Sequence, residues 1–256
     1  MNKMSTSLLV VSLSICLHAK ALTVMIDPGH GGTDTGAVQG KAKESEITLK
    51  VSLLLKQVID EDNKIKASLT RTTDKILGLP ERVQLAEKAK ADLFVSIHAN
   101  AAKDKSARGV EFYFQNHLPA DEESLFLASV ENKMSQNSTV NLETSEPTKR
   151  NDVLSIIEDL KRQDRMQNSH KLSKHLLDAW ERGKRNPANI IRQAPFYVVS
   201  NTTIPSVLVE LGFLTNPREA AKLMDVGYQK EIAQKIYQGL LKYKDLIDNT
   251  NTDSLN

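Results

Sequence analysis

Cysteine is almost absent from this chain: Cys16 is the only one in 256 residues. It lies in an N-terminal stretch patterned like a secretory signal, with Lys3 as the positive region, the apolar run SLLVVSLSICL over residues 7–17, and the small-x-small site Ala19-Lys20-Ala21. Ile15 stands where a lipoprotein signal has a small residue before its cysteine, so the expectation is cleavage after Ala21. The mature chain then has no thiol and no disulfide. Charge of one sign is lacking too. The formal net charge is +2, and losing Lys3 and Lys20 brings the 34 basic residues level with the 32 acidic ones. Nothing electrostatic favours a nucleic-acid partner. The run at 7–17 is too short to anchor in a bilayer, and the mature chain has neither an internal repeat nor a membrane-spanning run. An exported, periplasmic, neutral monomer with no stable membrane anchor is expected, the signal at residues 1–21 preceding the folded part.

What is present is an alternation of strands and helices. Residues 22–26 form a short apolar run that stops at Asp27-Pro28-Gly29, where proline cannot continue a ladder and glycine permits a turn. Residues 43–60 carry Ile47, Val51, Leu54, Leu55, Val58 and Ile59 at helical spacing. Residues 65–70 alternate like a strand, Pro80 opens a second helix, and residues 92–98 and 109–114 read as further strands. Residues 121–133 look helical, 135–151 polar and irregular, and 153–185 helical again. Strands are expected at 196–200 and 206–210, a capping box at Asn216-Pro217-Arg218-Glu219, a last helix over about 229–247, and a polar tail from 248 to 256. The fold class is α/β: one domain over 22–247, about six strands in a twisted sheet with helices on both faces. A helical and loop insertion occupies about 118–151.

The chemistry gathers at strand ends, as it does in open α/β sheets. TVMIDPGHGGTDTG over residues 23–36 delivers His30 on a glycine-rich loop, and DLFVSI at 92–97 delivers His98. Either histidine alone would be ordinary surface; two at the ends of apolar strands read as two arms of one metal site. Catalytic zinc takes three protein ligands and leaves a fourth position for water. The third is expected to be a carboxylate at the start of the following helix, Glu44 or Glu46, although acids are common in first turns without being ligands. His117, His170 and His175 read as solvated. In VLVELG, Glu210 ends an apolar strand, and burying a carboxylate without partners costs several kcal/mol, on the order of a whole domain's margin. Beside a zinc-bound water it is a general base.

DPGHGGTDTGA, the Glu44 region, SIHANA and PSVLVELGFLTNP together resemble, in order and spacing, the zinc-dependent N-acetylmuramoyl-L-alanine amidases of the amidase-3 family. The resemblance runs from residue 22 to about 247. It implies hydrolysis of the amide between N-acetylmuramic acid and L-alanine in peptidoglycan, for septal wall splitting and cell separation, with Zn2+ held by His30, Glu44 and His98 and Glu210 as the catalytic group. Arg82, in LPERVQLA, matches a recurrent family arginine and is taken, with Asn100, as a substrate-binding candidate. The insertion resembles that of division-associated amidases, in which a helix covers the zinc until an activator protein displaces it. Leu125, Leu127, Val130 and Met134 are expected to dock such a helix, with Glu131 filling the open coordination position. The rival readings are a zinc peptidase cutting within the stem peptide and a non-catalytic wall-binding module; the complete set His30, Glu44, His98 and Glu210 argues against the latter, and no appended wall-binding domain is read from the chain.

Overall fold

A computed structural model describes residues 21–115, 121–134, 152–181, 186 and 188–253. The signal-like stretch, His117 and most of the polar part of the insertion lie outside these residues. In chain order the elements are β1 (Leu22–Pro28), the short strands β2 (Val38–Gln39) and β3 (Ala42–Lys43), α1 (Glu44–Asp62), β4 (Ile65–Leu69), α2 (Leu79–Lys88), β5 (Leu93–Asn100) and β6 (Glu111–Phe114). There follow α3 (Glu122–Met134), α4 (Asp152–Glu181), β7 (Ile190–Gln193), α5 (Tyr197–Ser200), β8 (Ser206–Phe213), α6 (Pro217–Met224) and α7 (Val226–Asp253).

Six strands form one sheet in the order β4-β1-β5-β8-β6-β7, parallel except where β6 runs against β8. The inner strands are near-continuous apolar runs because both faces are covered. Val24, Ile26, Val95, Ile97, Val207, Val209 and Phe112 point to one face, where α1, α4 and α7 pack against them through Leu55, Leu176, Ile236 and their neighbours. On the other face Met25, Phe94, Leu208 and Tyr113 meet Val83 and Ala86 of α2, Leu127 and Ala128 of α3, and Val198 of α5. The period of two carries that second face onward from these apolar residues to Asp27, Ser96, His98, Glu210 and Glu111. The backbone register sets Asp27 level with Ser96, His98 level with Glu210, and Glu210 level with Glu111. An apolar floor thus gives way, within one or two residues per strand, to a row of polar and titratable groups at the carboxyl ends of β1, β5 and β8 and the amino end of the antiparallel β6. The chain leaves β1 for β4 on one side and returns to β5 on the other, which places the crevice between β1 and β5.

Three expectations are corrected. Residues 196–200 are not a strand: only Tyr197–Ser200 is regular, as the one-turn helix α5, and the strand neighbouring β6 is β7 instead. The last helix does not stop near 247 but continues through the polar residues to Asp253. Asn216 does cap α6, accepting from the backbone of Arg218 and Glu219, but Glu219 does not reach back to complete a box. Its Oε2 accepts instead from the backbone N–H of Phe213 (2.9 Å) and Gly109 (3.2 Å), tying the end of β8 to the loop before β6.

The face of α1 provides a direct check on this packing. Leu55 is fully buried and Leu53 is 41% exposed, two residues away on the same helix. Leu55→Ala is expected to lower unfolding free energy by about 2–5 kcal/mol, and Leu53→Ala by no more than about 0.5 kcal/mol, as read by urea denaturation of the mature chain.

Candidate metal centre

The loop after β1 holds His30 in the left-handed region, φ 57°, a conformation that costs free energy for any residue with a Cβ. Two buried arginines keep it there. Arg82 donates from Nη2 to the His30 carbonyl (2.8 Å), from Nη1 to the Pro28 carbonyl (2.7 Å) and to Asp27 Oδ1 (2.8 Å), and from Nε to the Leu77 carbonyl (3.2 Å). Arg71 donates from Nε to the Pro28 carbonyl (3.0 Å) and from Nη2 to the carbonyls of Gly29 (2.8 Å) and Ser45 (2.9 Å). It therefore ties the His30 loop to the first turn of α1. Burial and the neighbouring Arg82 charge bring the Arg71 pKa down to about 10. Asp27 also accepts from Thr70 Oγ1 (2.6 Å) and Ser96 Oγ (2.8 Å). Burial alone would raise its carboxyl; the Arg82 charge and these hydrogen bonds hold it below the usual range.

Arg82, a substrate-binding candidate in the sequence, supports the loop here: it is 3% exposed, and all three of its guanidinium nitrogens are engaged within the protein. Asn100 is likewise buried, with Nδ2 donating to Glu111 Oε2 (2.9 Å). The other anticipated residues come together. His30 Nε2 lies 3.1 Å from Glu44 Oε1 and 3.2 Å from Glu131 Oε2, while His98 Nδ1 lies 3.0 Å from Glu44 Oε1 and 3.5 Å from Glu131 Oε2. Glu46 points outward and pairs with Lys43, so of the two acids in the first turn it is Glu44 that faces the histidines.

These four atoms test whether a metal fits. Tetrahedral zinc with ligands at about 2.0–2.2 Å separates them by about 3.3–3.6 Å; the four contacts between imidazole nitrogens and carboxylate oxygens are 3.0–3.5 Å, and His30, His98 and Glu131 offer ligand atoms within 4.8 Å of one another. His30 Nε2 is buried with no aligned hydrogen bond, and its Nδ1 is 3.0 Å from Asp34 Oδ2, the outer carboxylate that commonly orients a metal-bound imidazole. Burial alone would lower the His30 pKa, but the Glu44 charge and contacts with Asp34, Glu131 and Glu44 push it well above its ordinary value. Burial would raise Glu44, yet the His30 charge and contacts with both imidazoles hold it far below. Such carboxylates stabilise any cation between the rings. Glu44 is fixed by the backbone N–H of Ala37 at Oε2 and of Ala99 at Oε1, both 2.9 Å. Space is kept by glycine: a Cβ on Gly29 would lie 2.5 Å from the His98 ring, and one on Gly36 2.5 Å from Glu44 Oε2. The residues present fit a divalent metal with nitrogen and oxygen ligands.

Glu210 is buried beside this cluster, and its Oε2 has no hydrogen-bond partner. Burial, then the charges of Glu44, Glu131 and Glu111, push its carboxyl well above the ordinary range. Glu131 comes from α3, whose Leu127 and Ala128 are buried in the apolar cluster, whereas Leu125 is 44% exposed; docking uses the Leu127–Ala128 side and not Leu125. Asn132 fastens the helix end, donating to the Pro195 carbonyl (3.0 Å) and accepting from Tyr197 N–H (2.8 Å). The Met134 side chain lies outside the described residues. His170 is exposed and stacks on Phe114, while His175 is half-buried against Tyr243, its pKa lowered by burial. Sequence reasoning missed Asp34, Arg71, Asp27 and Glu111. For Arg71 a signal was present, an arginine at the carboxyl end of a strand beside the site.

Residues 24–242 match the amidase-3 family, N-acetylmuramoyl-L-alanine amidase. The chain is 33% identical over 229 residues to the amidase AmiA of Salmonella typhimurium, covering 88% of this chain and 77% of that one. To AmiA of Escherichia coli K12 it is 32% identical over 234 residues, covering 90% and 79%. Among solved structures, the catalytic domain of the amidase CwlV from Paenibacillus polymyxa superposes with a TM-score of 0.61 at 28% identity, covering 88% of this chain and 98% of that one. The CwlD amidase of Clostridioides difficile, solved in complex with the GerS lipoprotein, gives 0.65 at 25% identity, covering 88% and 99%.

The buried pair beneath the loop yields an expected outcome in stability. Asp27→Asn leaves the Arg82 charge buried without its anion and should cost about 3–5 kcal/mol at pH 7. Because the folded pKa of Asp27 is depressed, its contribution is complete above about pH 4 and fades as pH falls through the folded value. The gap between parent and variant in urea denaturation should therefore narrow toward pH 3.

Proposed function

The chain belongs to the amidase-3 family and is an N-acetylmuramoyl-L-alanine amidase, and we propose that it works with zinc held by His30, Glu44 and His98. In this reading it acts outside the cytoplasmic membrane, in septal wall splitting and cell separation. Support for export comes from the signal-like N-terminus, and among the described residues no helix is long and apolar enough to cross a membrane. The observation that carries the site assignment is the meeting of His30 Nε2 (3.1 Å) and His98 Nδ1 (3.0 Å) on Glu44 Oε1, beside the unpartnered Glu210 Oε2.

Zinc bound there would supply an acidified water and a polarised scissile carbonyl. The residues of the chain do the rest. Asp34 holds the His30 ring in the tautomer with its proton on Nδ1, which leaves the Nε2 lone pair facing the centre. Arg71 and Arg82 hold the loop, and the Ala37 and Ala99 N–H groups hold Glu44. Glu210, buried and free of hydrogen bonds at Oε2, accepts a proton from the attacking water at that atom. It returns the proton to the nitrogen of L-alanine as the C–N bond breaks. The lactyl group leaves as a carboxylic acid and the stem peptide with a free amine. An elevated Glu210 pKa suits both transfers.

α3 is read as an inhibitory cover. A catalytic zinc keeps one coordination position open, and Glu131 Oε2 lies where it would close that position. An activator protein that displaces α3 would open the site.

Purified sacculi digested by the mature chain should release intact stem peptides with free N-terminal alanine, and chelation should abolish this until zinc is returned. Peptides cut internally would mean a peptidase. Glu210→Gln should keep stoichiometric zinc and lose about 10²–10⁴ in rate; loss of zinc instead would make Glu210 a ligand. Deleting residues 121–150, with folding confirmed by thermal melting, should raise activity without any partner, and equal or lower activity would remove the inhibitory role.

A further inference from the structure

Arg192 has no part in the chemistry above, yet it is placed where a group of the substrate would arrive. β5, β8, β6 and β7 are successive neighbours in the sheet. His98, Glu210 and Glu111 stand level across the first three, and Arg192 on β7 is level with Tyr113, two residues beyond Glu111. The Arg192 guanidinium has one partner in the body of the fold, with Nε 3.2 Å from Glu111 Oε1. Glu111 is itself fixed there by Asn100 Nδ2 (2.9 Å) and the Tyr113 hydroxyl (2.8 Å). The remaining two nitrogens face α3: Nη1 is 3.3 Å from Asp121 Oδ2 and Nη2 is 3.3 Å from Glu123 Oε2. Those two carboxylates are 51% and 67% exposed, so their ion pairs are weak and exchangeable. A guanidinium one-quarter exposed, holding two exposed carboxylates on nitrogens whose fork suits one carboxylate bidentately, is a binding group already in use.

The spacing says what it would bind. α3 sets one anionic group, Glu131, at the imidazoles and another pair at Arg192, eight to ten residues away along the helix. At a rise of 1.5 Å per residue that is about 12–15 Å. The three strand intervals from β5 to β7, at about 4.8 Å each, give about 14 Å independently. An extended peptide whose scissile amide lies at the histidines covers this distance in about four residues. We propose that Arg192 anchors a carboxylate near the far end of the peptidoglycan stem peptide, and that Asp121 and Glu123 occupy it only while α3 covers the site. The helix then imitates the substrate at both ends, and its departure frees the peptide anchor together with the metal site. This inference rests on the amidase reading, which fixes where the scissile amide lies.

The test uses the mature chain with Asp121→Asn, Glu123→Gln and Glu131→Gln, which neutralises the three carboxylates that meet Arg192 and the imidazoles while keeping the helix. The substrates are two muramyl tetrapeptides, alike except that the carboxyl groups beyond the second residue are free in one and amidated in the other. The free acid is expected to be preferred about tenfold in kcat/KM, through KM, as one charge-assisted contact allows. Adding Arg192→Gln should bring that ratio close to one, and Arg192→Lys should restore part of it. A preference that persists in the Arg192→Gln chain, or none in the parent, overturns the proposal. So does an Arg192→Gln change that speeds cleavage of both peptides equally, because Arg192 would then only hold α3. Cleavage of neither peptide counts against the amidase reading instead. Calorimetric binding of the two peptides to the same chains carrying Glu210→Gln then decides on Arg192, by the same tenfold ratio or its absence.

Discussion

Asp27 and Arg82 form a buried ion pair under the loop that carries His30, and the placement of that histidine depends on it. Removing two charges from water is unfavourable unless geometry and further hydrogen bonds compensate. Here they do: Asp27 has Thr70 and Ser96, and the guanidinium spends its remaining donors on the carbonyls of Leu77, Pro28 and His30. Two backbone carbonyls at and just past the end of β1 and one in the segment before α2 are thereby satisfied. Arg71 satisfies two further acceptors at Gly29 and Ser45, so the His30 loop and the Glu44 end of α1 move as one unit. The left-handed backbone at His30 persists because it is over-determined from below.

Above this support the groups are almost all anionic or neutral. Asp34, Glu44, Glu131, Glu210 and Glu111 crowd two imidazoles on one face of the sheet, and the resulting field favours a cation between the rings and pushes the Glu210 carboxyl pKa upward. The same field bears on α3 through Glu131. Its apolar contribution is small, Leu127 and Ala128, and its remaining hold is polar: Asn132 at one end, Arg192 at the other, and Glu131 in the middle of the charged cluster.

Much of this was legible in the residues. His30, His98 and Glu210 each stand at the end of an apolar run, where only the carboxyl edge of a buried strand would put them. The choice between Glu44 and Glu46 was not legible, since both lie in one helical turn and either suits the dipole; the contacts with Ala37 and Ala99 decide it, and those depend on tertiary fold. Arg82 was read as a substrate-binding candidate from its match to a family arginine, and its contacts with Asp27 and three carbonyls could not be foreseen without the tertiary fold. Residues 196–200 are apolar and β-branched, as a strand would be, but packing of Val198 and Val199 against the α2 face turns them into one helical turn. The edge strand β7 is too short and too mixed to announce itself, and Arg192 was overlooked along with it.

The central claim is that the two histidines, Glu44 and Glu131 form one tetrahedral set from which a single member can be withdrawn. Cobalt(II) substitution tests this directly, because the intensity and position of the visible d–d bands report coordination number and ligand type. Intense tetrahedral absorption is expected from the parent, a shifted but retained spectrum from Glu131→Ala, and none from His98→Ala. A parent spectrum with the weak bands of six-coordinate cobalt, or one unchanged by Glu131→Ala, would contradict it.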